Sequence, residues 1–164
     1  MLEKEVLREA RILIVDDQAA NIALLERVLA QGGYKNISQT TDPRKVLELF
    51  TLYNPDLVLM DLMMPHVDGL SLMKQLRSRI PDGEYLPILV LTADATPAAK
   101  RNALSMGAKD FLAKPYDVNE VILRVNNLVE TRCLYTQLQQ RLDMVEKLSA
   151  TDEVRAEHHL AAAL

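Results

Sequence analysis

The chain predicts an α/β fold, a doubly wound five-stranded parallel sheet with an extended C-terminal helix. Short apolar runs of four or five residues alternate with segments of helical period, the signature of repeated strand–helix units. The clearest run, Leu57-Val58-Leu59-Met60, is apolar at every position, as a strand covered on both faces must be. After Pro115 the chain has no glycine or proline, so the last helix has no obvious stop.

The elements follow in order. Arg11 to Val15 is a first strand that ends at Asp16-Asp17. Gln18 to Gln31 repeats apolar residues at Ile22, Leu25, Val28 and Leu29, one face of a helix, and Gly32-Gly33 closes it. Asn36 to Thr40 is a weak second strand. Asp42-Pro43 starts the next helix with a capping acid and a proline in the first turn, and that helix stops before Asn54-Pro55. Leu57 to Met60 is the third strand, with Asp61 directly after it. Leu70 to Arg79 is helical and closed by Pro81-Asp82-Gly83. Ile88 to Leu91 is the fourth strand, ending at Thr92-Ala93. Thr96-Pro97 opens a helix that Met106-Gly107 closes, and Asp110 to Ala113 is the fifth strand, ending at Lys114-Pro115. From Asp117 the pattern is helical to about Leu148.

Composition narrows the function classes. The chain has 164 residues, 49% hydrophobic and 26% charged, enough for one full domain and an appendage. A net charge of −4 supplies no basic surplus for nucleic acid or acidic membrane. No apolar run approaches a spanning helix, and Met1 to Glu5 lacks the apolar core of a signal peptide. Cys133 is the single cysteine, so no intrachain disulfide forms, and its ordinary reading is a partly buried helix residue. These points indicate the cytoplasm.

In a parallel sheet the ends of these strands gather at one edge, where ligands bind. Asp16, Asp17 and Asp61 would meet there, with Thr92 and Lys114 at neighbouring strand ends. Carboxylates so close repel, and an all-oxygen set suits a hard divalent ion such as Mg²⁺. Lys114 offers a point charge for a phosphate and Thr92 a hydroxyl. A carboxylate beside a divalent cation and a lysine has the parts for accepting a phosphoryl group.

Ile12-Leu13-Ile14-Val15-Asp16-Asp17, Leu59-Met60-Asp61-Leu62-Met63-Met64-Pro65 with Val67-Asp68-Gly69, Leu91-Thr92-Ala93 and Lys114-Pro115 together resemble the receiver domain of bacterial response regulators. The resemblance runs in unbroken order from about Arg8 to Glu130. It implies a flavodoxin-like, CheY-like architecture in which Asp61 is the phosphoacceptor. It also implies a Mg²⁺ site in which Asp17 and Asp61 bind directly, Asp16 through water, and Met63 through its backbone carbonyl. Thr92 and Lys114 would contact the phosphoryl oxygens, and Lys114-Pro115 would be a cis peptide. Phe111 falls at the family's aromatic switch position, where it is either that switch or ordinary core. The implied partner is a sensor histidine kinase or phosphotransfer protein. The resemblance further implies a self-phosphorylating and self-dephosphorylating signalling domain, not an enzyme, with any output enzyme domain outside this chain.

The last helix, from Val118 to about Leu148, would be ~46 Å long. Beyond Glu130 its apolar positions are Leu134, Leu138, Leu142, Val145 and Leu148, a face with no domain core beneath it. It reads either as a dimerising, signal-conducting helix or as a frayed helix packed locally. Leu148-Ser149-Ala150-Thr151-Asp152-Glu153-Val154 is similar to the lead-in of diguanylate cyclase domains in regulators of that type. The expected division is a receiver at 8–130, a helical coiled-coil linker at 131–150, and a disordered end or cloning remnant at 151–164. The leading function is a phosphorylation-controlled module, expected to form a homodimer through the C-terminal helix, that controls an output domain. The alternative is a stand-alone receiver acting on a protein target. An aspartyl phosphatase is disfavoured by Met63, which stands where such enzymes of the haloacid dehalogenase type carry a second acid. A DNA-binding regulator is disfavoured by an acidic, single-helix tail.

Overall fold

The computed structural model describes residues 3–164. The five strands are β1 (Arg11–Val15), β2 (Asn36–Thr40), β3 (Leu57–Met60), β4 (Ile88–Thr92) and β5 (Asp110–Ala113). They form one parallel sheet in the order β2-β1-β3-β4-β5. Helices α2 (Ala19–Gln31), α3 (Val46–Tyr53), α4 (Gly69–Ser78), α5 (Pro97–Ser105) and α6 (Val118–Ala162) connect and cover it. A short α1 (Lys4–Arg8) precedes β1 and is not foreseen by the sequence pattern, because five residues carry too little periodicity to read.

The continuous apolar strands feed two separate cores. Ile12, Ile14, Leu57, Leu59, Leu89 and Leu91 face α2 and α6, packing with Leu25, Leu29, Val121 and Val125. The alternate residues Leu13, Val15, Val58, Met60, Val90 and Phe111 face α3, α4 and α5, with Phe50, Met73, Leu76 and Ala103. This period-two division explains why the strands show no hydrophobic alternation: both faces are inside.

The capping chemistry acts where expected. Asp42 accepts from Arg44 N at 3.0 Å, although the first turn is a 3₁₀ turn (Pro43–Lys45) before α3 proper. Thr96 accepts from Ala99 N at 3.2 Å at the start of α5. Asp68 caps α4 by accepting from Leu70 N, an N-terminus that starts one residue earlier than the periodicity indicates.

The largest departure is α6. It does not stop near Leu148 but runs 45 residues to Ala162, through the stretch expected to be disordered. The reason is local: Ala, Glu, Arg and Leu from Ala150 onward are strong helix formers, and no breaker interrupts them. Among the described residues no helix is long and apolar enough to cross a membrane.

Candidate functional site

The winding of the chain reverses between β1 and β3, which are neighbours in the sheet although β2 lies between them in sequence. In open α/β sheets the crevice outside the strand ends at such a point collects ligands. Asp16-Asp17 and Asp61 stand on its two sides. The backbone N–H of Asp16 donates to Thr40 O at 3.3 Å and that of Asp61 to Val15 O at 3.0 Å. Both residues are thus tied into the ladder, and their carboxylates start from rigid backbone. Gly69 lets the following loop fold back, because a Cβ there would collide with the Leu62 main chain.

Asp16, Asp17 and Asp61 each place a carboxylate oxygen within 4.8 Å of the others. Asp16 is 2% and Asp61 7% exposed. Two unit charges at that separation repel by about 3–4 kcal/mol at an effective dielectric near 20. Lys114 offsets part of this: its Nζ lies 2.7 Å from Asp16 Oδ2 and 2.7 Å from Asp61 Oδ2. Burial pulls the Lys114 pKa down, but the two carboxylates more than offset it, and the net direction is upward. Lys114 therefore stays charged throughout the neutral range. The stabilisation from its raised pKa is fully present below the ordinary lysine value near 10.4 and is lost only above it.

One ammonium against three carboxylates leaves a formal charge of −2 (+1 − 3). The three acids are not equivalent in what they can still accept. Asp16 Oδ1 takes bonds from Gln18 N (2.9 Å) and Asn21 Nδ2 (3.1 Å), and Oδ2 takes bonds from Lys114 and Asn21 Nδ2 (3.2 Å). These are three donors, with the one Asn21 amide bridging both oxygens, so of its roughly four acceptor positions about one is left for a water. Asp61 uses Oδ1 for Met63 N at 2.9 Å and Oδ2 for Lys114, so both oxygens keep a free lone pair. Asp17 has no protein partner among the described residues. The donor set thus fits a hard divalent cation held directly by Asp17 and Asp61, with Asp16 reaching it through water.

The remaining sequence-predicted residues fall into two groups. Thr92 is 1% exposed at the end of β4; its carbonyl accepts from Lys114 N at 2.8 Å and its Oγ1 from Asp94 N at 3.4 Å. The Lys114–Pro115 peptide is cis. Met63 joins the site through its backbone N–H while its side chain is exposed. Phe111 is not at the acid cluster. It is buried in the core beneath α5, opposite Val90, on the sheet face that Thr92 shares by period and one diagonal away from it. His66 is exposed with φ 70°, outside the cluster.

Sequence reasoning missed Asn21 and the Gln18 N–H. A signal existed: side chains in a first helical turn tilt back toward the N-terminus, so an Asn there points at the preceding strand end. It also missed a cavity of about 300 Å³ beside Thr92, lined by Met63, Asp68, Asp94, Thr96 and Asn102.

Comparison with known proteins agrees with this geometry. The profile of the response regulator receiver domain matches residues 12–126. Response regulator MprA of Mycolicibacterium vanbaalenii is 41% identical over 119 residues, covering 73% of this chain and 50% of that protein. The MprA of Mycobacterium leprae is 40% identical over the same length. The chain spans about half the length of the curated relatives it matches. Among solved structures, the receiver domain of Francisella response regulator 1452 superposes with a TM-score of 0.65 at 30% identity, over 75% of this chain and 98% of that one. Chemotaxis protein CheY4 of Vibrio cholerae gives 0.67 at 25% identity, over 73% and 98%. With the profile running from the first strand into the last helix, and relatives about 40% identical over that stretch, this chain belongs to the response regulator receiver domain family.

Proposed function

We propose that this chain is a phosphorylation switch whose acceptor is Asp61. The observation that carries the reading is the state of that carboxylate. It is buried, rigidly backed by β3, clamped by Lys114 and the Met63 N–H, and still has a free lone pair on each oxygen. The donor is a phosphohistidine of a sensor histidine kinase or phosphotransfer protein. An Asp61 oxygen attacks phosphorus in line, a P–O bond forms, the P–N bond breaks, and the imidazole leaves and takes up a proton. Lys114 exchanges its Asp61 contact for a phosphoryl oxygen, and the Thr92 hydroxyl donates to another. Asp17, Asp61, Asp16 through water and the Met63 carbonyl would hold Mg²⁺. When bound, that ion supplies neutralising charge to the phosphoryl oxygens.

The change is read through Thr92 and Phe111, which share one sheet face. A single bond to a charged group is worth about 1.5–3 kcal/mol. A full population reversal takes about 5.5 kcal/mol, so Thr92 acts together with Lys114. The output is a change in the assembly of the chain through α6, as a homodimer. A cytoplasmic location suits a kinase partner of this kind.

Incubation with a small acyl phosphate and Mg²⁺ is expected to add one phosphoryl group by intact mass, and none to Asp61→Asn. Full labelling of the Asn variant would overturn the assignment.

A further inference from the structure

We infer that the part of α6 beyond the receiver is one half of a parallel two-stranded coil with a second copy of this chain, keyed by Arg141 of each copy against Glu146 of the other. This deepens the assembly reading above and rests on it, although the observations behind it are separate from the phosphorylation site. Two faces of the helix are already occupied. Arg132, Tyr135, Thr136, Gln139 and Asp143 line a cavity with Gly83, Glu84 and Tyr85, and so look toward the loop before β4. Cys133 and Gln137 line a groove with Val6 and Ala10, on the α1 side. Leu134, Leu138 and Val145 lie roughly 200° around the helix from Arg132 and Asp143, turned away from their own domain. They are 51%, 55% and 63% exposed. This exposed face is where a second helix would pack.

The spacing identifies that helix as a copy of this one. Leu138, Leu142 and Val145 follow one another at four and three residues, the d, a and d positions of a heptad, while the preceding a position is Tyr135, stacked on Tyr85 of its own domain. Leu134 and Leu148 flank them at g. In this register Arg141 is a g position and Glu146 an e position, five residues later. That is the offset at which g of one strand meets e of the other in a parallel pair. Symmetry makes the contact twice. Within the chain neither side chain has a salt-bridge partner among the described residues, so both are free for it. The next core positions are Ser149, Asp152, Ala156 and His159, so the seam runs from Leu138 to Leu148, about one and a half heptads or ~16 Å. Such a seam gives a reversible dimer rather than an obligate one.

The test is sedimentation equilibrium of the full chain, unphosphorylated, over a concentration series. The wild type is expected to show a monomer–dimer equilibrium. Arg141→Glu sets two carboxylates against each other at each key, and Glu146→Arg sets two guanidinium groups together. Each single change is therefore expected to weaken dimerisation roughly tenfold. The double variant restores the pairs and is expected to return to within about threefold of wild type. Equimolar mixing of the two single variants is expected to give heterodimers. A chain that stays monomeric at all concentrations overturns the inference, as does a dimer indifferent to both single changes. A double variant as weak as either single also overturns it, since antiparallel strands do not pair these positions. Phosphoryl uptake by the single variants is measured alongside: if it persists, the acceptor reading stands whatever the dimer does.

Discussion

Asp16 shows how single residues divide the work in a crowded acidic crevice. Receiver domains typically bind Mg²⁺ at an acidic pocket, and the three carboxylates here form one. What distinguishes Asp16 is that three protein donors hold it, the Asn21 amide spanning both of its oxygens. Asn21 is therefore expected to hold that carboxylate in the orientation a hydrated cation needs. Groups that support a ligand in this way typically change affinity about 10- to 100-fold when removed. Because Gln18 and Lys114 remain, Asn21→Ala is expected at the low end, about tenfold weaker Mg²⁺ binding by calorimetry. Asn21 is only half-buried, so thermal stability should barely change. An unchanged Mg²⁺ affinity would show that Gln18 and Lys114 alone orient Asp16. The acids, Thr92 and Lys114 were legible in the sequence because each directly follows an apolar strand. Asn21 was not, because its role depends on where a helix points its first turn. Phe111 was legible only as a position, since the same ring serves equally as core, and here it is packed in one.

At the scale of elements, strands and capped helices could be read almost to the residue because breakers bracket them. The end of α6 could not, because nothing in the sequence stops it. Nor could the way α6 is fastened to the sheet. Tyr34, just past the α2 terminus, donates its hydroxyl to Asn126 Oδ1 on α6 at 2.7 Å across 92 positions of sequence. Burial pushes the Tyr34 phenol up to about 12, with Cys133 adding to the shift and Arg8 opposing it. The fold thus favours the neutral phenol. Its contribution is fully present below the unfolded value near 10 and is lost as pH rises from about 10 through about 12. Tyr34→Phe should cost about 1 kcal/mol at neutral pH through the lost hydrogen bond. By about pH 11 the wild type should have lost about 1.4 kcal/mol that the variant does not lose, so their urea midpoints should meet or cross. A gap that stays constant from about pH 8 to about pH 11 would mean that Tyr34 does not titrate in this fashion.

For the whole molecule, the question is where the receiver ends and the projecting helix begins. The family match stops at residue 126, and sequence alone suggests Glu130 as the boundary. The contacts continue further. Arg132 donates to Tyr85 O at 2.8 Å, and lies 3.5 Å from Asp56 and 3.8 Å from Glu84. Tyr135 stacks on Tyr85 with ring centroids 5.4 Å apart, and Lys109 Nζ sits 5.3 Å from the centroid of Tyr85. Asp56 and Tyr85 lie at the starts of the same two strand units whose far ends carry Asp61 and Thr92. These contacts fasten the helix to the receiver as far as Tyr135, and the proposed seam begins beyond them, at Leu138. A chain cut after Glu130 therefore loses Arg132 and Tyr135 and leaves Asp56 and Glu84 without that cation. Breaking a partly buried pair and an aromatic stack together should cost roughly 2–4 kcal/mol. A chain cut after Gln137 keeps the fastening and loses only the seam. It should match the full chain in urea midpoint, accept phosphate equally, and sediment as a monomer at every concentration. If the two cuts prove equally stable, the contacts of Arg132 and Tyr135 contribute nothing and the boundary reverts to Glu130. If the longer fragment still dimerises, the seam does not lie between Leu138 and Val145.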